Sequence, residues 1–86
     1  MTMTTLDRLS PGQRATITSL AAQGAERRRL MDLGFIPGVE IEVEMGNPLG
    51  DPRAFRLLGG VVALRREQAR EIGIQVQPEE TPTHVA

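Results

Sequence analysis

The chain contains no cysteine, no lysine, no tryptophan and no tyrosine, and its single histidine is His84. Each absence closes a class of chemistry. Without cysteine there is neither a disulfide staple nor a thiolate metal site. Without lysine a phosphate loop of the Gly-x-x-x-x-Gly-Lys-Ser/Thr type is impossible, and all ten basic residues are arginine. Only Phe35 and Phe55 carry rings, too few to stack nucleic-acid bases or to line a groove for proline-rich peptides. Eleven acidic residues offset the arginines and leave a formal charge of −1, which argues against a nucleic-acid partner held by its phosphates. The longest purely apolar run, Val61-Val62-Ala63-Leu64, is far short of a membrane span. Met1 to Thr5 lacks the basic region and apolar stretch of a signal peptide. The expectation is a cytoplasmic protein, not itself membrane-embedded. Its 86 residues suffice for one small domain, which buries roughly 60% of its unfolded surface.

What is present is organised around Arg27-Arg28-Arg29-Leu30-Met31-Asp32-Leu33-Gly34-Phe35-Ile36-Pro37-Gly38. The stretch reads as the end of a helix over 25–33, with Leu30 and Leu33 on one face. Gly34 stops it where positive φ is wanted. Pro37-Gly38 then suits a type II turn into a strand. In that strand Val39, Ile41, Val43 and Met45 alternate with Glu40, Glu42 and Glu44, giving one buried and one acidic face.

Upstream, Leu6 to Gly12 is a lead-in segment ending in a Ser-Pro-Gly turn. Residues 13–20 form a strand with Ala15, Ile17 and Ser19 on one side. Downstream, residues 46–52 are a loop by composition, and 53–58 are the returning strand. Its expected register sets Val43 opposite Phe55, Ile41 opposite Leu57 and Glu42 opposite Arg56. After Gly59-Gly60, Val61 to Leu64 is a short strand, buried by its apolar content. Residues 65–72 form a helical turn or two, with Ala69 and Ile72 inward and Gly73 as the stop. Ile74 to Val76 is a last strand. Residues 1–76 are thus one domain, and 77–86, rich in Pro, Thr and Glu, a flexible tail. About five strands, a helix inserted after strand 1 and a helical turn before the last strand describe a mainly β protein, a small SH3-like barrel. An OB-type barrel is the rival.

Catalysis finds no support, because a nucleophile needs a positioned base and the one histidine lies in the tail. Glu40, Glu42 and Glu44 share a wet strand face and read as solubilising. A metal site has only His84, Glu79 and Glu80 to draw on, too few ligands for iron or zinc without a second chain or solvent. No cofactor is required, and divalent metal binding would be adventitious. The arginine triplet reads either as a solvated helix face or as a docking surface for an acidic partner, with Met31, Phe35 and Ile36 beside it as apolar anchors.

Taken together, Arg28 to Val39, Pro48-Leu49-Gly50-Asp51-Pro52 and Ala63-Leu64-Arg65-Arg66-Glu67-Gln68-Ala69 resemble the FeoA family, the small ferrous-iron transport proteins A. The resemblance covers residues 6–76 and implies an SH3-like barrel with a helical insertion. It also implies a non-enzymatic accessory role in bacterial ferrous-iron uptake, acting on FeoB, a membrane transporter with a cytosolic GTP-binding domain. Residues 27–35 match the family's helix, and our reading of the residues takes Arg27, Arg28, Arg29, Leu30, Met31, Leu33 and Phe35 as the candidate contact surface, with Pro48, Leu49 and Asp51 as a second element. A weak homodimer is compatible with this reading. The alternative is an SH3-like regulatory domain of the kind that closes iron-dependent repressors, which would normally follow a DNA-binding domain; the sequence from Met1 shows none.

Overall fold

The computed structural model describes residues 2–44 and 51–77. Among them six strands form one antiparallel sheet in the order β1-β6-β2-β3-β4-β5. They are β1 (Thr2–Thr5), β2 (Arg14–Leu20), β3 (Glu40–Val43), β4 (Arg53–Leu57), β5 (Gly60–Leu64) and β6 (Ile72–Val76). Helix α1 (Gly24–Asp32) is inserted between β2 and β3, and α2 (Arg66–Ala69) precedes β6. The architecture is mainly β as expected, with six strands in place of five and the helix after the second. The additional strand is β1, which pairs with β6 from Thr2↔Val76 to Thr5↔Gly73. Threonine suits a pleated, half-solvated surface, but the segment carries no apolar alternation, since Met3 points outward and is 67% exposed. The lead-in after it is a 3-10 turn, Leu6–Arg8, with Leu6 and Leu9 in the core.

Two irregularities depart from simple periodicity. In β2, Ala15 and Ile17 are buried, but Ser19 is exposed rather than inward. A bulge between Ile17 and Ser19 inserts one residue, and each extra residue swaps the faces of a strand. The second irregularity answers the first. Gly73 does not stop a helix but lies inside β6, paired with Thr5 and Ser19, and a Cβ there would collide with the Ser19 hydroxyl. Ile72 accordingly belongs to β6, and α2 ends at Ala69.

The hairpin of β3 and β4 has the expected register, Val43↔Phe55 and Glu42↔Arg56. Val43, Phe55, Ile41 and Leu57 are all buried. Arg56 forms its ion pair one rung along the same face, with Glu44. The hydrogen bond that Arg56 donates to Glu44, and then the charge of that carboxylate, raise the Arg56 guanidinium above its ordinary pKa. Both side chains are solvated, so the apolar rungs fix the register and the ion pair decorates it. β5 is an edge strand and is not buried as expected: Leu64 faces the core, Val62 is half-buried, and Val61 is 56% exposed.

The seam between the two ends of the sheet is closed by side chains. Arg53 Nη1 donates to the Leu9 carbonyl at 2.7 Å and to that of Asp7 at 3.5 Å, tying β4 to the turn after β1. Asp51 Oδ1 accepts from the Arg66 N–H at 2.9 Å, and Gln68 Oε1 accepts from the Arg65 N–H at 3.0 Å, so the first turn of α2 is satisfied at its N-terminus. Gln77, expected to begin the tail, is bonded to the sheet. Its N–H donates to the Arg14 carbonyl at 3.0 Å, and its side chain donates to Glu40 at 2.7 Å. The rest of the expected tail lies outside the described residues.

Helix α1 ends in a double-bonded reversal. The Phe35 N–H donates to the Leu30 carbonyl at 3.0 Å and the Gly34 N–H to that of Met31 at 3.0 Å, while Gly34 takes a φ of 109°. This is a Schellman motif, and the apolar contact that accompanies it brings Leu30 and Phe35 together in the core. The type II turn follows as expected, with the Val39 N–H donating to Ile36 at 3.0 Å and Gly38 at a φ of 97°.

The two glycines should respond differently to alanine. Gly38→Ala meets open space and suffers from backbone conformation alone, a loss of about 1 kcal/mol. Gly34→Ala also drives a Cβ to 3.2 Å from Leu57 Cδ1, so its loss should reach roughly 2–3 kcal/mol. Urea denaturation of both variants measures the difference. Equal losses would mean that Leu57 moves aside freely.

Candidate docking surface at the end of helix 1

Burial divides the residues expected at the contact surface. Leu30 and Phe35 are fully buried, so they are core residues and not contacts. Both belong to the core cluster, and the reversal joins them through the hydrogen bond from the Phe35 N–H to the Leu30 carbonyl. Met31 is half-buried. Leu33 does not share the fate of Leu30. It is the cap residue just past the helix, before the reversal, and it is 38% exposed.

Arg27, Arg28 and Arg29 are all exposed. Arg27 Nη1 reaches the Leu20 carbonyl at 3.4 Å, beside the end of β2. Arg28 and Arg29 make no ion pair or side-chain hydrogen bond with any described residue, although Asp32 stands four residues beyond Arg28. Elsewhere the sheet balances its own charges. Arg14 lies opposite Glu42, and Glu42 opposite Arg56, in a row across three strands that edges an open groove with Glu40 and Leu58. On α1 three consecutive arginines outnumber Glu26 and Asp32.

One neighbour of this surface is not anticipated by periodicity. Leu58 and Gly59 form the two-residue turn between β4 and β5, with φ of 49° and 82°, the conformation of a type I′ hairpin. Leucine in the left-handed region is uncommon, because its Cβ crowds the backbone there. Leu58 is also 73% exposed. Its Cδ1 stands 3.7 Å from where a Cβ on Gly34 would lie, which brings it beside the 33–36 corner. Leu33, Ile36 (38% exposed) and Leu58 thus provide apolar surface next to the exposed arginines. The Gly59-Gly60 pair signals the turn, but a leucine at its first position reads as the end of a strand.

Pro48 and Leu49 lie outside the described residues, as do His84, Glu79 and Glu80. Asp51 is exposed, with one carboxylate oxygen engaged at the start of α2. Among the described residues no three His, Asp or Glu side chains converge as metal ligands, and no helix is long and apolar enough to cross a membrane.

The FeoA domain family matches residues 4–76. The chain belongs to the FeoA family. A Porphyromonas gingivalis protein that fuses an Fe(2+) transport protein A to the Fe(2+) transporter FeoB is 35% identical over 71 residues. That match takes in 83% of this chain and 8% of the fusion protein, so the chain spans less than a tenth of this relative. The solution structure of the FeoA protein from Chlorobium tepidum is 39% identical, with a TM-score of 0.77 over 90% of this chain and 73% of that one. A zinc complex of Stenotrophomonas maltophilia FeoA is 28% identical, with a TM-score of 0.69 over 85% and 88% of the two chains. It is described as a prokaryotic SH3-domain protein and put forward as a bacterial ferrous iron transport activating factor. The SH3-like expectation therefore holds. IdeR from T. acidophilum shares the shape, with a TM-score of 0.77 over 90% of this chain and 35% of that one, but at 20% identity the likeness is one of fold alone.

The conformation of Leu58 offers a test of what the FeoA domain keeps it for. Leu58→Asn replaces a strained residue by one that tolerates the left-handed region, and should raise stability by about 0.5–1 kcal/mol. Thermal or urea denaturation reads this directly. A loss of stability would show that the leucine side chain is part of the packing and not an exposed element.

Proposed function

We propose that this FeoA-family chain is a non-enzymatic cytoplasmic accessory protein of bacterial ferrous-iron uptake, which binds the cytosolic GTPase part of a FeoB-type transporter and regulates it. The observation that carries the proposal is the fusion relative. There a domain 35% identical to this one is covalently joined to the transporter itself, which fixes the two at high effective concentration. A free chain of the same family would reach the same neighbour by binding it.

The surface best suited to that contact is the exposed side of α1 and the corner beyond it. Arg28 and Arg29 supply guanidinium forks for carboxylates, and Leu33, Ile36 and Leu58 supply apolar anchors at their edge. Arg27 and Met31 flank them, one bonded to the end of β2 and one half-buried. The complementary surface on the transporter is acidic with an apolar centre. The role asks for no cofactor and no catalytic group of this chain, and the balanced charge of the sheet makes nucleic acid a poor partner.

Titration of the full chain against the soluble cytosolic part of a FeoB-type transporter, with and without guanine nucleotide, tests the proposal. The double variant Arg28→Glu/Arg29→Glu should weaken binding by roughly tenfold or more, with an unchanged melting temperature. Leu33→Asp should do the same through the anchor. Binding that survives both changes would remove this surface, and absence of binding by the unaltered chain would remove the function.

A further inference from the structure

The sheet ends at β1 and at β5, and β5 lacks the usual protection of an edge. Edge strands are ordinarily blunted by charge, proline, a bulge or shortness, because their unpaired N–H and C=O groups invite another strand. β5 reads Gly60-Val61-Val62-Ala63-Leu64, without charge or proline, and its register with β4 runs unbroken from Leu57↔Gly60 to Arg53↔Leu64.

The ladder also determines which groups face out. A two-residue turn closes on a pair that exchanges both hydrogen bonds, here Leu57↔Gly60, and bonded pairs recur at every second rung. Phe55↔Val62 and Arg53↔Leu64 are then bonded, and Val61 and Ala63 are not. The opposite side of β4 agrees, since the Ala54 carbonyl, across from Ala63, accepts from the Glu44 N–H at 3.0 Å. Val61 and Ala63 therefore aim their N–H and C=O groups away from β4, and among the described residues no other backbone group meets them. Their side chains are exposed as well.

We propose that β5 is a self-association edge, through which two copies of this chain pair antiparallel about a two-fold axis at Val62. Self-complementarity selects a second copy as the occupant. The outward-bonding residues lie symmetrically around Val62, so Val61 meets Ala63 of the second copy and Ala63 meets its Val61. Both N–H and both C=O groups on each copy are satisfied in one register. Charge is compatible with it. The paired window holds no ionised side chain, and Arg65 falls opposite Gly59 of the second copy rather than opposite another arginine. Such pairing is isologous and closes at two copies, whereas β5 against β1 would be head-to-tail and open-ended. The contact is small, so the dimer forms only at high protein concentration.

Sedimentation equilibrium of the full chain from about 10 µM to about 1 mM tests this. A reversible monomer–dimer equilibrium is expected. Ala63→Pro removes only an outward N–H at an edge position and should weaken the dimer roughly tenfold or more while the melting temperature changes little. Val61→Lys keeps the backbone intact and should weaken it also, which covers the case in which the proline variant fails to fold. Met3→Lys, on the opposite edge, should leave the dimer unchanged. A monomer up to the highest concentration, growth beyond two copies, or a dimer insensitive to both β5 variants would overturn the proposal.

Discussion

The closure of α1 by the hydrogen bond from Phe35 to the Leu30 carbonyl, with both side chains buried in the core, is the constraint on which the remaining structure depends. It exists because Gly34 can take a positive φ and reverse the chain within one residue, returning Phe35 under the helix. The reversal then delivers the chain to the sheet. The Gly38 N–H donates to the Ile17 carbonyl at 2.7 Å, and the Ile17 N–H donates to that of Val39 at 2.9 Å, so the Pro37-Gly38 turn is bonded to β2 before β3 begins. Helix, corner and sheet are thus a single unit. Burial of Leu30 and Phe35 also decides what is left outside, namely the arginines on the far side of the helix and the edges of Leu33 and Ile36. The proposed docking surface is the outer face of a core contact.

Charge is distributed by the same logic. A net charge near zero hides an uneven layout. Arg14 and Arg56 flank Glu42 across the sheet, Arg56 pairs with Glu44, and Arg53 is bonded to backbone carbonyls at the seam. Arg28 and Arg29 stand apart from this, on a helix whose position is fixed by apolar contact and not by charge. A positive face on a neutral domain suits recognition of a local acidic patch, and it does not suit the long uniform field of a nucleic acid.

Edges and turns carry the less regular features. The bulge in β2 and the glycine opposite it in β6 turn Ser19 outward without disturbing Ile17 or Ile74. Leu58 occupies a turn position where asparagine or glycine would be easier, and it presents an apolar side chain to solvent beside the helix corner. Backbone strain together with exposure is unusual in a position that serves only folding. In the fold as a whole, regularity lies in the core strands, and the departures from it lie where another surface can reach.

Local chemistry in the sequence determined a great deal. Alternation from Val39 to Glu44 set the β3 face and its register against Phe55, because a one-residue slip would bury glutamates. Gly34 and Pro37-Gly38 set the corner, because few other residues take those angles. What only tertiary structure decided concerns groups whose local pattern is silent or ambiguous. β1 has no alternation and becomes a strand only because β6 offers it an edge. Val61 looks buried by composition and is exposed because it lies on the outer face of the sheet, opposite Arg56, while Val62 and Leu64 face in. Leu30 and Leu33 have the spacing of one helical face, yet one is core and the other surface, since the helix ends between them and the chain reverses at Gly34. Periodicity assigns a side chain to a face of its own element, and the packing of other elements determines whether that face is covered.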